Sequence, residues 1–179
     1  MKLKISAVFL AITTVMTLFP AQAAAYYYRR PSYSIAGTRT STATTAQSLN
    51  AGTADPVAST LLTLLNQERS KYGLPRLQLD TTLSDLARTK SQDMVANRYF
   101  SHVSPTLGSP AQMLARNGVR YTQFAENIAQ GSDASRIHAM WMNSAGHRAN
   151  ILNPAFTHVG IGTATGSSGS TATQLFVSR

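Results

Sequence analysis

Trp141-Met-Asn-Ser-Ala-Gly-His-Arg-Ala-Asn-Ile-Leu-Asn-Pro-Ala-Phe156 is the stretch from which this chain is best read. Its apolar ends ask for burial, and a short glycine-preceded segment between them carries the imidazole of His147. A polar side chain on a connecting segment held by rigid elements is well placed to line a cleft. Two upstream residues stand in comparable settings. His102 lies in Tyr99-Phe-Ser-His-Val-Ser-Pro105, just past a helical pattern. Glu126, one of two glutamates in the chain, lies inside Phe124-Ala-Glu-Asn-Ile128. A carboxylate with apolar neighbours on both sides needs a partner, because burying an unpaired charge is costly.

The elements that would hold these residues follow from local signals. Asp55-Pro56 is an N-cap with proline at the first helical position, and Tyr72-Gly73 before Pro75 is a stop, which predicts a first helix with Leu61, Leu62, Leu65 and Tyr72 on one stripe. Thr82-Leu-Ser-Asp85 reads as a capping box for a second helix running to about Asn97, with Leu83, Leu86, Ala87, Ser91, Met94 and Val95 at helical spacing. Ser109-Pro110 opens a third helix that Asn117-Gly118 closes, and Ser132 or Asp133 caps a fourth through Met142. Tyr121 to Ala129 is a strand. The C-terminal pattern, His158-Val-Gly-Ile-Gly-Thr163 and Thr171 to Val177 around Gly166-Ser-Ser-Gly-Ser170, predicts a hairpin with a loop of about five residues. It places Leu175 and Val177 on one face, Gln174 and Phe176 on the other. Helices covering a small, mainly antiparallel sheet make an α+β domain over residues 55–179.

The first residues read differently. Met-Lys-Leu-Lys4, an apolar run from Ile5 to Phe19 and the small residues around Ala23 have the form of a cleaved secretory signal, residues 1–23, which sends the chain to the periplasm or the medium. Residues 24–54, with Tyr26-Tyr-Tyr-Arg-Arg-Pro31 and a Ser/Thr/Ala/Gly-rich tract, have no helical or strand period and are expected to be a disordered leader. With no cysteine, a domain of about 120 residues must be held by its core alone, and its length permits that. No apolar run reaches the ~20 residues of a membrane span. The net charge of +9 comes from 16 Lys and Arg against 7 Asp and Glu, scattered and not grouped in a stripe. That argues against a nucleic-acid partner and suits acidic envelope polymers or lipids, bound by a monomer.

Two histidines and one carboxylate can hold a divalent ion, Zn²⁺ for instance, with positions left for water. The spacings of 24 and 21 residues are nothing like a compact metal motif, and in the plainer alternative the histidines cap turns while Glu126 accepts backbone hydrogen bonds. His138, three residues before Trp141, is expected to pack or face solvent, and His158 to be structural. Ser101 and Ser144 near histidines lack the Gly-x-Ser-x-Gly elbow of a serine hydrolase.

Four ordered motifs, Leu65-Asn-Gln-Glu-Arg69, Tyr99-Phe-Ser-His102, Ala125-Glu-Asn-Ile-Ala129 and Trp141-Met-Asn-Ser-x-Gly-His-Arg-x-Asn-Ile-Leu152, resemble the bacterial branch of the CAP superfamily, the SCP-like extracellular proteins. The resemblance covers Val57 to Ser178. It implies a three-layer α-β-α sandwich whose cleft is lined by two histidines and two acidic residues. His102, Glu126 and His147 take three of those positions, with Asn127 and Ser144 beside them. The second acidic residue of eukaryotic members follows the tryptophan, where this chain has Met142-Asn-Ser144. Metal-assisted hydrolysis needs ligands and a separate acid or base, so the missing carboxylate favours binding of a divalent cation, a lipid-like molecule or an envelope component over catalysis.

Overall fold

Aspartate side chains start both long helices. Asp55 Oδ1 accepts from the N–H groups of Val57 and Ala58 at 3.0 Å each, and α1 (Pro56–Lys71) follows. The second, α2 (Thr81–Ala96), is capped by Asp80, whose Oδ1 accepts from Leu83 N at 2.8 Å, so the helix begins ahead of the expected Thr82 box. Asp80 wins because its own N–H is tied to Val159 O at 2.9 Å, which fixes the entry of the helix against the sheet. Ser109, expected to open the third helix, does so through a capping box with Gln112, and α3 (Pro110–Arg116) follows. The remaining helices are α4 (Ala134–Asn143), capped by Asp133, and α5 (Ala145–Ile151).

A computed structural model describes residues 23–29 by their backbone, and residues 55–167 and 169–179 in full. Its strands are β1 (Ala23–Arg29), β2 (Gln78–Leu79), β3 (Gln123–Gly131), β4 (His158–Gly166) and β5 (Gly169–Ser178), ordered β1-β3-β5-β4-β2 in one sheet. Only the short β2–β4 pair is parallel. The hairpin is tighter than expected, because Gly166 already pairs with Gly169. Gly169 permits this with φ +101°, a backbone conformation that favours glycine.

One face of the sheet packs on α1, α4 and α5. Leu61, Leu65, Ile137, Trp141 and Ile151 meet Ala125, Ala129, Val159, Ile161 and Phe176 there. The other face packs on α2 and α3, where Leu83, Leu86, Ala87 and Leu114 meet Phe124, Leu175 and Val177. The side-chain period of two along each strand sorts the residues this way, and the result is the α-β-α sandwich. Both ends of the Trp141–Phe156 stretch enter the first core, with Phe156 stacked on Phe176 at 5.5 Å.

The leader differs from its expectation at one end. Ala23 to Arg29 form β1, antiparallel to β3 with Tyr26 opposite Glu126. The segment has no burial period, but an edge strand needs only main-chain pairing, and consecutive tyrosines favour an extended backbone. The apolar run to Phe19 and the tract from Arg30 to Ala54 lie outside the described residues.

Candidate functional site

Lys90 and Asp93, which the sequence reading passed over, build the support of the site. Lys90 lies one turn past Leu86 on the buried stripe of α2 and is fully inaccessible to solvent. Its Nζ donates to the His102 carbonyl at 3.0 Å and to the Tyr99 hydroxyl at 3.2 Å, and sits 5.0 Å from the centre of the Tyr99 ring. Asp93 accepts from the hydroxyls of Tyr99, Ser104 and Thr106 and from the Asn97 amide. Ser104 Oγ accepts in turn from Thr106 N at 3.0 Å and Leu107 N at 2.8 Å. The loop carrying His102 is thus laced to two side chains of one helix.

That loop delivers His102 Nδ1 to 2.7 Å from Glu126 Oε1. The Glu126 side chain is wholly buried, that of His102 is 16% exposed, and the imidazole is therefore the solvent-facing member. Burial pushes the Glu126 carboxyl above the usual carboxylate range, against the hydrogen bond and charge of His102 and the charge of Lys90. Burial pulls the Lys90 ammonium down, opposed by Glu126 and Asp93. Burial also works against the Asp93 carboxylate, but its hydrogen bonds from Ser104, Thr106, Tyr99 and Asn97 prevail and hold it low. Glu126 is the group poised to take or hold a proton.

Asn127 leaves β3 on the face opposite Glu126. Its Nδ2 donates to the His147 carbonyl at 3.3 Å and to Gln174 Oε1 at 3.1 Å, and its Oδ1 accepts from Asn150 Nδ2 at 2.8 Å. His147 is 1% exposed, on the first turn of α5. Ser144 joins α4 to α5, its N–H on Trp141 O at 3.3 Å, and its side chain caps nothing. Arg69 locks the far end of α5, with Nη1 donating to Ile151 O at 2.8 Å and Asn153 O at 2.9 Å and Nε to Pro75 O at 2.8 Å. His138 and His158 stand apart; burial lowers the pKa of the former, and Nδ1 of the latter lies 2.8 Å from Thr157 Oγ1.

The five residues singled out from sequence therefore divide. His102 and Glu126 come together, Asn127 holds α5 through the His147 backbone, and Ser144 is a helix junction. Among the described residues no group of three or more His, Asp or Glu side chains is placed to hold a metal ion. Lys90 was legible as a lysine at an apolar-stripe position, and Arg69 only as part of a motif.

A small, mainly antiparallel sheet between two helical layers, with a histidine and a buried glutamate meeting at it, is the arrangement of an SCP-type domain. The sequence profile of the Cysteine-rich secretory protein family, CAP, matches residues 62–178, and the chain belongs to that family. It is 46% identical over 141 residues to the uncharacterized protein YkwD of Bacillus subtilis (strain 168), covering 75% of this chain and 54% of that protein. Among solved structures, an extracellular protein containing a SCP domain from Bacillus anthracis superposes with a TM-score of 0.65 at 38% identity, over 69% of this chain and 41% of that one. An outer surface protein of Borrelia burgdorferi shares the fold at a TM-score of 0.63 and 22% identity, over 68% of this chain and 91% of that one. The chain thus spans about half the length of the Bacillus protein it matches.

Proposed function

We propose that this chain is a secreted binding module and not a hydrolase, and that the His102–Glu126 pair is the polar contact point of its cleft. One observation carries the reading. Glu126 Oε2 is buried and accepts no hydrogen bond among the described residues, next to an imidazole that reaches solvent. A buried acceptor left in that state costs about 1–3 kcal/mol, which a ligand bringing a hydroxyl or amine past His102 recovers. The hydrophobic leader sequence and the extracellular or surface location named for two similar structures support an envelope ligand. Hydrolysis is the weaker reading, because water activation needs a base distinct from the groups that hold a metal or substrate, and this site has one carboxylate.

The test is native mass spectrometry of the secreted chain as recovered from expressing cells, beside a Glu126→Ala variant. An organic adduct kept by the first and lost by the second is expected. Equal adducts on both would remove the pair from the binding site. Cleavage of peptides or peptidoglycan that chelator abolishes and Glu126→Ala lacks would establish the hydrolase instead.

A further inference from the structure

Three helices of this domain end in the same way, and one of them breaks a rule. After α1, Leu74 N bonds to Arg69 O at 3.0 Å and Gly73 N to Ser70 O at 3.1 Å. After α3, Val119 N bonds to Leu114 O at 3.0 Å and Gly118 N to Ala115 O at 3.1 Å. After α2, Tyr99 N bonds to Met94 O at 3.1 Å and Arg98 N to Val95 O at 3.4 Å. Each is a Schellman stop, which requires a left-handed residue just past the cap. Gly73 and Gly118 meet that need at φ +67° each, whereas α2 puts Arg98 there at φ +53°. Arg98 is the sole non-glycine residue with positive φ among those described. A side chain at such a position is strained, and strain of this kind points to a role for the side chain.

Arg98 lines a cavity of about 370 Å³ between the end of α2 and the β4–β5 hairpin. Its guanidinium makes no hydrogen bond or ion pair among the described residues, and it is exposed. Met94, Tyr99 and Phe100 form one wall. Tyr99 is held rigid there, its hydroxyl on Asp93 and Lys90 and its ring under the Lys90 ammonium. Gln130 and Thr171, paired across β3 and β5 with Gln130 Nε2 donating to Thr171 Oγ1 at 3.2 Å, supply the polar wall. The volume is at the small end of the range for ligand pockets, about 300–1,000 Å³, and suits a single ring with its substituents.

We propose that this cavity binds a carboxylate-bearing sugar, with Arg98 paired to the carboxylate, Tyr99 and Phe100 stacked on the apolar face of the ring, and Gln130 and Thr171 bonded to its hydroxyls. A fixed aromatic ring, an amide with a hydroxyl, and one uncommitted guanidinium match the three chemical features of such a ligand. The site is independent of the His102–Glu126 reading, since none of its contacts involves either residue.

The experiment titrates the isotope-labelled full chain with N-acetylmuramic acid and glucuronic acid, with N-acetylglucosamine and glucose as uncharged counterparts and octanoate as a carboxylate without a sugar ring. The acidic sugars should shift the amide signals of Arg98, Gln130 and Thr171, and the uncharged sugars should bind about 10- to 100-fold more weakly. Arg98→Gly should raise the melting temperature by a few degrees, because the strain is released, and weaken the acidic sugars to the level of the uncharged ones. Arg98→Lys should retain part of the difference. Equal binding of acidic and uncharged sugars, undiminished binding by Arg98→Gly, or octanoate binding at this site in preference to the sugars would each overturn the proposal.

Discussion

Replacing Gly162 by alanine asks whether α2 is seated on β4 backbone to backbone. A Cβ at this position would lie 2.1 Å from Arg88 N and 2.4 Å from Arg88 Cα, and one at Gly160 would lie 2.1 Å from the carbonyl carbon of Leu83. Ordinary contact begins at 3.4 Å, so the helix has to retreat by more than an ångström, since helix backbone cannot rotate out of the way. Retreat breaks the bonds of Ser91 Oγ to Gly162 O at 3.0 Å and to Thr173 Oγ1 at 2.9 Å, and loosens Leu83, Leu86 and Ala87 from Phe124 and Leu175. Overpacking costs about 1–3 kcal/mol, and each buried hydrogen bond adds about 1 kcal/mol. The expected loss is about 3–5 kcal/mol, a drop of roughly 10–25 °C in melting temperature. Circular dichroism during heating and in urea measures the loss. Gly73→Ala is the control: its Cβ meets nothing within 4 Å, leaving only the left-handed backbone penalty of about 1–2 kcal/mol. A Gly162→Ala protein that melts within two or so degrees of the parent, or no lower than Gly73→Ala, would refute the argument.

Arg69→Met leaves the carbonyls of Pro75, Ile151 and Asn153 without their donor and should cost about 3 kcal/mol or more, read from urea denaturation. Lys90→Met removes the cation beside a buried carboxylate and frees the His102 carbonyl, so we expect a loss of about 3–5 kcal/mol and faster proteolysis between residues 97 and 107. The raised Glu126 pKa gives a pH signature. The folded chain holds this proton more tightly than the unfolded one, so the stability it contributes is complete below the ordinary value of 4.5 and declines as pH rises through the raised one. Melting temperature should fall over that window in the parent, and Glu126→Gln should lack that fall; identical pH profiles would contradict the assignment. Asp93, held low, has the opposite sign: its contribution is present above 3.8 and lost as acid titrates the folded carboxylate, a loss absent from Asp93→Asn.

Local signals along the chain determined four of the five described helices, their order and the face each strand residue takes, whereas α5, which carries His147, read as a connecting segment. Caps, glycine stops and periods of two and 3.6 are properties of neighbouring residues. Alternation along β3 puts Glu126 on the same buried face as Phe124, where Lys90 and His102 are its partners. The four motifs set His102, Glu126 and His147 in one site, and the structure brings the first two within 2.7 Å of each other. What tertiary structure decided is how motif residues are shared out. Adjacent residues of one strand point to opposite faces, so Glu126 serves the α2 side while Asn127 serves α5, and a reading by proximity in sequence joins them in one cleft. Lys90 became a partner of Glu126 only through packing, as did the pairing of β1 with an open sheet edge. Both depend on which surfaces meet once the sheet is covered. A charge acquires its counterpart, and an edge its strand, from elements far apart in the chain, and no local pattern records that distance.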